Sequence, residues 1–359
     1  MSELLEYKCP NCGGVLHFDA QSQKLKCLSC STEFDVEAAE EYNNAQAVNQ
    51  DDLSWLYESD STYKDQNLAV YVCQSCGGEV VQDKTTAASS CPFCGNAIIV
   101  TSEVSGELRP DLVIPFKVTK EDAKNAYRKH VQAQKLVPAI FKKRDHIDEI
   151  KGVYVPFWLF SSDVAADVRY RAQRTRSYSD GRYRYVETSH FLLKRRGHIA
   201  FDDVPVEGST KISPVLMESI EPFDVSEGVD FETAYLSGYL ANRYDIGKEE
   251  SIGRANERIK NSTESAFRDT TAGYGMVTTV SSHLANTDGK ARYALLPVWL
   301  LSTVWGGKTY QFAMNGQTGK FVGDLPEDKM LTLWLFLRTF VLVFLIMAIV
   351  LIVIFMTAR

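Results

Sequence analysis

Histidine is scarce in this 359-residue sequence and never clustered: His17, His130, His146, His190, His198 and His283 stand singly, and none belongs to an H-E-x-x-H run. The helical zinc-hydrolase site is thereby excluded. A G-x-S-x-G elbow and a G-x-x-x-x-G-K-[ST] loop are also missing, so the chain carries neither the usual acyl-transfer nucleophile nor a phosphate cradle. A non-enzymatic protein is expected. Basic residues are few in the first third: residues 1–110 hold six Lys or Arg against seventeen Asp or Glu, a local balance of −11 in a chain whose total is −7. Nucleic-acid binding depends on Lys and Arg displacing counterions, so this stretch would repel a phosphate backbone. Met1 to Tyr7 reads MSELLEY, with no basic n-region and no apolar h-region, and the expectation is a cytosolic N-terminus.

No cysteine is left over. All eight fall into C-x-x-C pairs, Cys9 and Cys12 with Cys27 and Cys30, then Cys73 and Cys76 with Cys91 and Cys94, with fourteen residues between the pairs of each set. A C-x-x-C turn aims two thiolates at one ion, and two such turns complete a tetrahedral four-thiolate site, for which zinc is the best-suited ion. Rubredoxin-like iron and a redox dithiol are the competing readings, the latter disfavoured because redox pairs work singly. With cysteine in every position neither site keeps the open position that catalytic zinc needs, so two structural Zn2+ ions are expected. Ribbons of this size bury little apolar surface, and each ion would supply roughly 10 kcal/mol or more of folding free energy. Glycine follows the second cysteine in CPNCGG, CQSCGG and CPFCGN, whereas CLSCS has Ser31 there. Val15–Phe18 and Lys24–Lys26 read as hairpin strands between knuckles.

The C-terminal region lacks charge. Thr339 to Met356 is an uncharged run of eighteen residues, extended behind Arg338 by Leu331–Leu337. About 20 apolar residues cross a bilayer core, so a single-pass, tail-anchored helix over 331–356 is expected in the cell membrane. Trp334 and Arg338 suit the near interface, and Lys329 with Arg338 places the body in the cytosol.

Between these ends the pattern is mixed α and β. Leu112–Val118 reads as a strand, Thr119 as the N-cap of a helix with Glu121 and Asp122 in its first turn, and Val153–Phe160 and Val164–Thr175 as strands turning through Ser179-Asp180-Gly181 into Tyr183–Leu193. A second helix is expected from about Gly247 to Arg268. VYVPFWLFSSDV at Val153–Val164 and ALLPVWLLSTVW at Ala294–Trp305 match Pro156 to Pro297 and Trp158 to Trp299, which predicts two related α+β lobes. Asn315-Gly316 predicts a type I′ hairpin turn. The resulting organisation is zinc ribbon 1 over 1–36, an acidic linker over 37–68, zinc ribbon 2 over 69–107, lobes over 108–230 and 231–328, and the transmembrane helix. Trp55, Leu56 and Tyr57 form an apolar cluster in the linker, read as packing onto a ribbon or as a docking motif.

One stretch reverses the charge balance. Arg169, Arg171, Arg174, Arg176, Arg182, Arg184, Lys194, Arg195 and Arg196 alternate with tyrosines, a pattern expected to set the charges on one strand face. It reads either as a solvated face or as a patch for anionic lipid, for an acidic partner, or for the chain's own acidic N-terminal part.

The paired ribbons, the twin P-x-W strands, NGQTGKFVGDLP at Asn315–Pro326 and the terminal helix together resemble bacterial TFIIB-type double zinc-ribbon membrane proteins, a group often mislabelled as primosomal helicases. The helicase label fails here because the Walker lysine loop is missing. The resemblance implies a membrane adaptor that works with a phage shock protein A homologue and an SPFH or virion-core-like protein during envelope stress. The alternative is a membrane-held, nucleic-acid-binding transcriptional regulator.

Overall fold

A computed structural model of the chain describes residues 7–19, 22, 24–45, 51–55, 62–83, 91–96, 98–134, 136–143, 147–236 and 238–357. The fold is mixed α+β and dominated by sheet. In chain order the elements are β1 Leu16–Asp19, β2 Lys24–Cys27, β3 Glu33–Phe34, α1 Val36–Ala45, β4 Thr62–Cys73, β5 Glu79–Asp83, β6 Ile98–Leu108, β7 Leu112–Val113, α2 Lys120–Ala133, β8 Lys151–Ser179 and β9 Arg184–Glu207. There follow α3 Pro214–Ile220, β10 Val229–Asp230, β11 Leu240–Asn242, α4 Lys248–Asp269, β12 Val277–Trp305, β13 Lys308–Asn315, β14 Phe321–Gly323 and α5 Lys329–Thr357.

Two compact units are assembled from interleaved stretches: Met1–Ser59, Leu159–Val206 and Lys248–Ala291 make the first, and Asp60–Trp158, Glu207–Gly247 and Arg292–Arg359 the second. In the first, β1, β2 and β3 form a small antiparallel sheet, β9 pairs with β8, and α4 buries Ala255, Ile259 and Phe267. In the second the strand order is β10-β7-β12-β8-β11-β5-β4-β6, with β13 beside β12 and β14 beside β13. An apolar cluster lies where α2 sets Ala123, Tyr127 and Val131 against Trp299, Leu301, Phe312 and Met314.

The burial record of β8 explains how one strand can run so far. Gly152–Phe160 is buried on both faces, as expected of a near-continuous apolar run; buried and partly exposed residues then alternate to Gln173; from Arg174 onward both faces are exposed. The two strands expected over Val153–Phe160 and Val164–Thr175 are therefore one strand. Thr119 caps α2 in a reciprocal box with Asp122, which satisfies two orphan N–H groups of the first turn.

The duplication is visible atom by atom in the second unit. Proline is normally barred from central strands because it has no N–H to donate. Here each proline follows two residues after its strand's parallel pairing ends, β11 reaching Tyr154 on β8 and β7 reaching Leu295 on β12. The Pro156 carbonyl then accepts from the Gly208 N–H at 2.8 Å, and Pro297 accepts from Gly316 at 2.8 Å. Gly208 in turn accepts from Asp245 and Ile246, as Gly316 does from Lys117 and Val118. Trp158 Nε1 donates to the Ile246 carbonyl at 2.9 Å, and Trp299 Nε1 to Val118 at 3.0 Å. The unit β7-α2-β8-β9 is thus repeated as β11-α4-β12-β13, and each short strand pairs with the other repeat's long one.

Two local expectations are corrected. Asn315-Gly316 is not a two-residue type I′ turn, because the Asn315 N–H bonds to the Lys320 carbonyl and the loop spans four residues, with Gly319 at φ 79°. Asn315 instead folds the loop from within, its Oδ1 accepting from the Gln317 and Thr318 N–H groups. Gly316 is needed for close approach: a Cβ there would stand 2.6 Å from the Phe116 ring. The ring and hydrogen-bond partners of Trp55 among the described residues of its unit belong to β8 and α4. It lies edge-on to Phe160 at 5.0 Å and donates to Asn256 Oδ1, all within the first unit; Leu56 and Tyr57 lie outside the described residues.

Candidate metal centres

Each C-x-x-C pair closes a knuckle with the same two backbone bonds. Gly13 N–H reaches the Cys9 carbonyl and Cys9 N–H the Gly14 carbonyl; Gly77 and Gly78 do the same for Cys73, Gly95 and Asn96 for Cys91, and Ser31 and Thr32 for Cys27. The turn requires a left-handed residue, supplied by Gly13 at φ 77°, Gly77 at 66° and Gly95 at 78°. Ser31 adopts φ 57° in the third knuckle, so the missing glycine changes the residue and not the geometry.

The knuckles bring the thiols together as the spacing predicts. Cys9, Cys12, Cys27 and Cys30 form one group and Cys73, Cys76, Cys91 and Cys94 another, with all sulfurs of a group within 4.8 Å of one another. Cys9 and Cys30 lie 3.7 Å apart, Cys12 and Cys27 3.5 Å, Cys73 and Cys94 3.5 Å, and Cys76 and Cys91 3.7 Å. All eight are free thiols. Ligands at about 2.3 Å around a tetrahedral ion stand roughly 3.8 Å apart, so both cavities fit such an ion.

Groups around the sulfurs tune them. Backbone N–H groups of Asn11 and Phe93 reach Cys9 and Cys91 at 3.4 Å, and the Asn11 and Asn96 side-chain amides reach Cys30 and Cys94 at 3.7 and 3.6 Å. In the first cluster burial pushes the Cys9 thiol up to about 12, while the Thr32 hydroxyl, 3.2 Å away, pulls Cys30 down to about 6. In the second, burial raises Cys91. Burial also presses Cys73 upward, but the N–H groups of Cys76 and Ser75 prevail and leave it at about 7. Four thiols this close cannot all ionise unaided, and a divalent cation is the charge that would let them.

Spacing did not disclose how the clusters are held to the body. Arg171 donates to the Pro10 carbonyl of the first knuckle. In the second unit Ser302 Oγ reaches the Pro92 carbonyl at 2.9 Å, Gln311 Nε2 the Phe93 carbonyl at 3.1 Å, and Lys211 Nζ the Cys76 carbonyl at 3.2 Å. These donors carry no motif, and only the fold could have found them.

The nine basic residues share β8, β9 and their connecting turn but not one face. Arg169 and Arg171 alternate with buried Val168, Tyr170 and Ala172, whereas Arg174 and Arg176 fall on the opposite parity, and Lys194, Arg195 and Arg196 are consecutive. Several cations are engaged internally. Arg196 pairs with Asp167 at 2.6 Å and Arg169 with the same carboxylate at 3.9 Å; Arg195 Nε donates to Thr270 Oγ1 at 3.0 Å; Arg174 lies over the Phe191 and Tyr274 rings at 5.6 and 4.9 Å. Arg176, Arg182 and Arg184 at the hairpin tip are exposed and have no side-chain partner among the described residues.

Helix α5 is capped by Asp328, whose Oδ1 accepts from Met330 and Leu331. Its Lys329–Ile354 segment of 26 residues is long and apolar enough to cross a membrane, and none of its most apolar window is buried. At 1.5 Å per residue it reaches about 39 Å, more than a hydrocarbon core of roughly 30 Å. Arg338 lies over the Trp334 ring at 5.6 Å.

Fold and site define a class: a mixed α+β protein with two four-cysteine clusters able to hold a metal ion towards its N-terminus and one long apolar helix at its C-terminus. The chain is 36% identical over 326 residues, 91% of either chain, to the Bacillus subtilis (strain 168) protein described as "Uncharacterized protein YdjG". It belongs to the family of that protein. No family model matches the chain, and no solved structure matches it.

Proposed function

We propose that this chain is a non-enzymatic, membrane-anchored zinc-ribbon adaptor that binds cytosolic proteins and holds them at the cell membrane. The observation that carries the reading is α5, a long apolar helix with none of its most apolar window buried, joined to a body whose two clusters have cysteine in every position. Zinc is the ion proposed, because four thiolates in tetrahedral spacing match its softness and geometry. Coordination saturated by protein leaves no site for substrate, which supports a structural role for both ions. The acidic first third favours protein over nucleic acid as the ligand of the ribbons. A cytosolic body follows from the reduced thiols and from Lys329 and Arg338 on the near side of the helix. The family resemblance supplies the partners to try first, a phage shock protein A homologue and an SPFH-type protein, and envelope stress as the setting.

Deletion of residues 331–359 tests this. Partners that fractionate with membranes beside the full-length chain are expected to move to the soluble fraction with the deleted one. Partners that stay on membranes would overturn the adaptor reading. Salt-sensitive retardation of DNA or RNA by the purified chain would favour a membrane-held regulator instead.

A further inference from the structure

We infer that the tip of the β8–β9 hairpin is a second, peripheral membrane contact that takes anionic lipid headgroups. The inference rests on the reading that α5 places the chain in a bilayer. From Arg169 to Arg196 the sequence carries nine basic side chains against two carboxylates, Asp180 and Glu187, a balance of +7 in a chain whose total is −7. Near the base of the hairpin these cations are engaged within the first unit, by Asp167, Thr270, the Pro10 carbonyl and the rings of Phe191 and Tyr274. At the tip they are not: the guanidinium groups of Arg176, Arg182 and Arg184 have no partner among the described residues.

The tip is also apolar where a solvated hairpin would be polar. Tyr178, Tyr183 and Val186 are 59%, 67% and 62% exposed, and Tyr178 stacks on Tyr185 at 5.1 Å with the rings 18° from parallel. Stacked tyrosines beside arginines are the composition of the water–lipid interface, where the ring enters the headgroup layer and guanidinium meets phosphate. The turn itself is braced. Asp180 accepts from the Arg182 and Tyr183 N–H groups at 2.9 and 2.7 Å and from the Tyr185 hydroxyl at 2.9 Å. Its exposed carboxylate is thus engaged by the turn's own donors, and Glu187 is the other acidic side chain beside the tip. A cation near an anionic surface is worth roughly fivefold in binding, so three would give on the order of a hundredfold preference for charged over neutral lipid.

The test uses the purified full-length chain in vesicles of phosphatidylcholine, with and without phosphatidylglycerol. Alkaline carbonate extraction is read first: a chain that washes off fails the membrane-helix reading, not the hairpin. For an inserted chain, trypsin cleavage after Arg182 and Arg184 is expected to slow about tenfold or more in anionic vesicles and to recover in high salt. Cleavage after Lys308, the exposed first residue of β13, is expected to stay unchanged. The R176Q/R182Q/R184Q variant, read by chymotrypsin at Tyr183 and Tyr185, is expected to lose the dependence on lipid charge while keeping its metal content. Equal tip cleavage in both vesicle types would overturn the inference. So would protection that extends equally to Lys308, or polyglutamate protecting the tip in neutral vesicles as strongly as anionic lipid does, which would mark a docking site for acidic protein.

Discussion

The two cysteine clusters share one knuckle geometry and differ in what holds their strands. The first belongs to a three-stranded sheet of its own, with a small core of Leu16, Leu25 and Ala39 around the buried Cys9 and Cys27. The second is built into the large sheet of its unit: β5 pairs with β11 through Val81–Ala241 and Val80–Asn242, and three body side chains donate to its knuckle carbonyls. The same coordination chemistry therefore does two jobs. In the first ribbon a bound ion would stand in for a core too small to fold by itself. In the second it would pin one edge of a sheet that has its own hydrophobic support.

The sharpest way to break this comparison is to remove one ion at a time. Cys27→Ser is expected to lose one ion and unfold residues 7–45, withdrawing much of the roughly 10 kcal/mol that a four-thiolate site supplies, with the melting of the second unit unchanged. Cys91→Ser is expected to lose the other ion, lower that melting and expose β5 and β11 to hydrogen exchange. Identical exchange maps for the two variants would end the distinction.

A second lever is the strap of residues 51–55. Asp52 and Asn286 bond backbone to backbone, Asp51 meets Lys260 Nζ at 2.7 Å, and the Trp55 ring lies on Phe160. Trp55→Ala is expected to cost the first unit about 3–5 kcal/mol by removing a buried aromatic, measured by denaturant unfolding; a cost under about 1 kcal/mol would mean the strap is not fixed there.

Next come the tryptophans of the repeat. Trp158→Phe and Trp299→Phe each leave one partly buried carbonyl without its donor and are expected to cost about 1–3 kcal/mol apiece. Similar values support equivalence of the two repeats, and a wide gap would show that one has lost its role.

The smallest effect compares equivalent glycines. A Cβ at Gly78 would meet the ring of buried Phe93 at 2.8 Å, whereas at Gly14 it would meet the Ser29 hydroxyl at 2.7 Å, the end of a side chain that can rotate away. Gly78→Ala is expected to cost about 1–3 kcal/mol and Gly14→Ala less than about 1 kcal/mol; reversal of that order in metal-loaded thermal melts would contradict the packing described.

Where the sequence could be read, a local rule was at work. Cysteine spacing located both clusters because a knuckle is a four-residue object, Thr119 marked a helix start because its cap is made three residues away, and the apolar run at 331–356 needed only length. Pro156 and Trp158 against Pro297 and Trp299 disclosed the duplication. What stayed hidden depends on contacts far apart in the chain. Nothing near Leu112 or Leu240 tells that each short strand pairs with the other repeat's long strand, and no periodicity shows that the two units interleave. Asn315-Gly316 misled because Gly316 makes room for Phe116, a reason invisible to a turn rule. The basic run misled in a similar way: strand parity shifts between Arg171 and Arg174, and partners such as Thr270 come from distant elements.

Native mass spectrometry of the full-length chain, released from mild detergent, tests the central claim most directly. The account predicts a mass carrying two zinc ions per chain and a bound protein partner that is lost when either cluster is mutated. A chain that carries iron, or fewer than two ions, or two zinc ions and no protein partner, would contradict it.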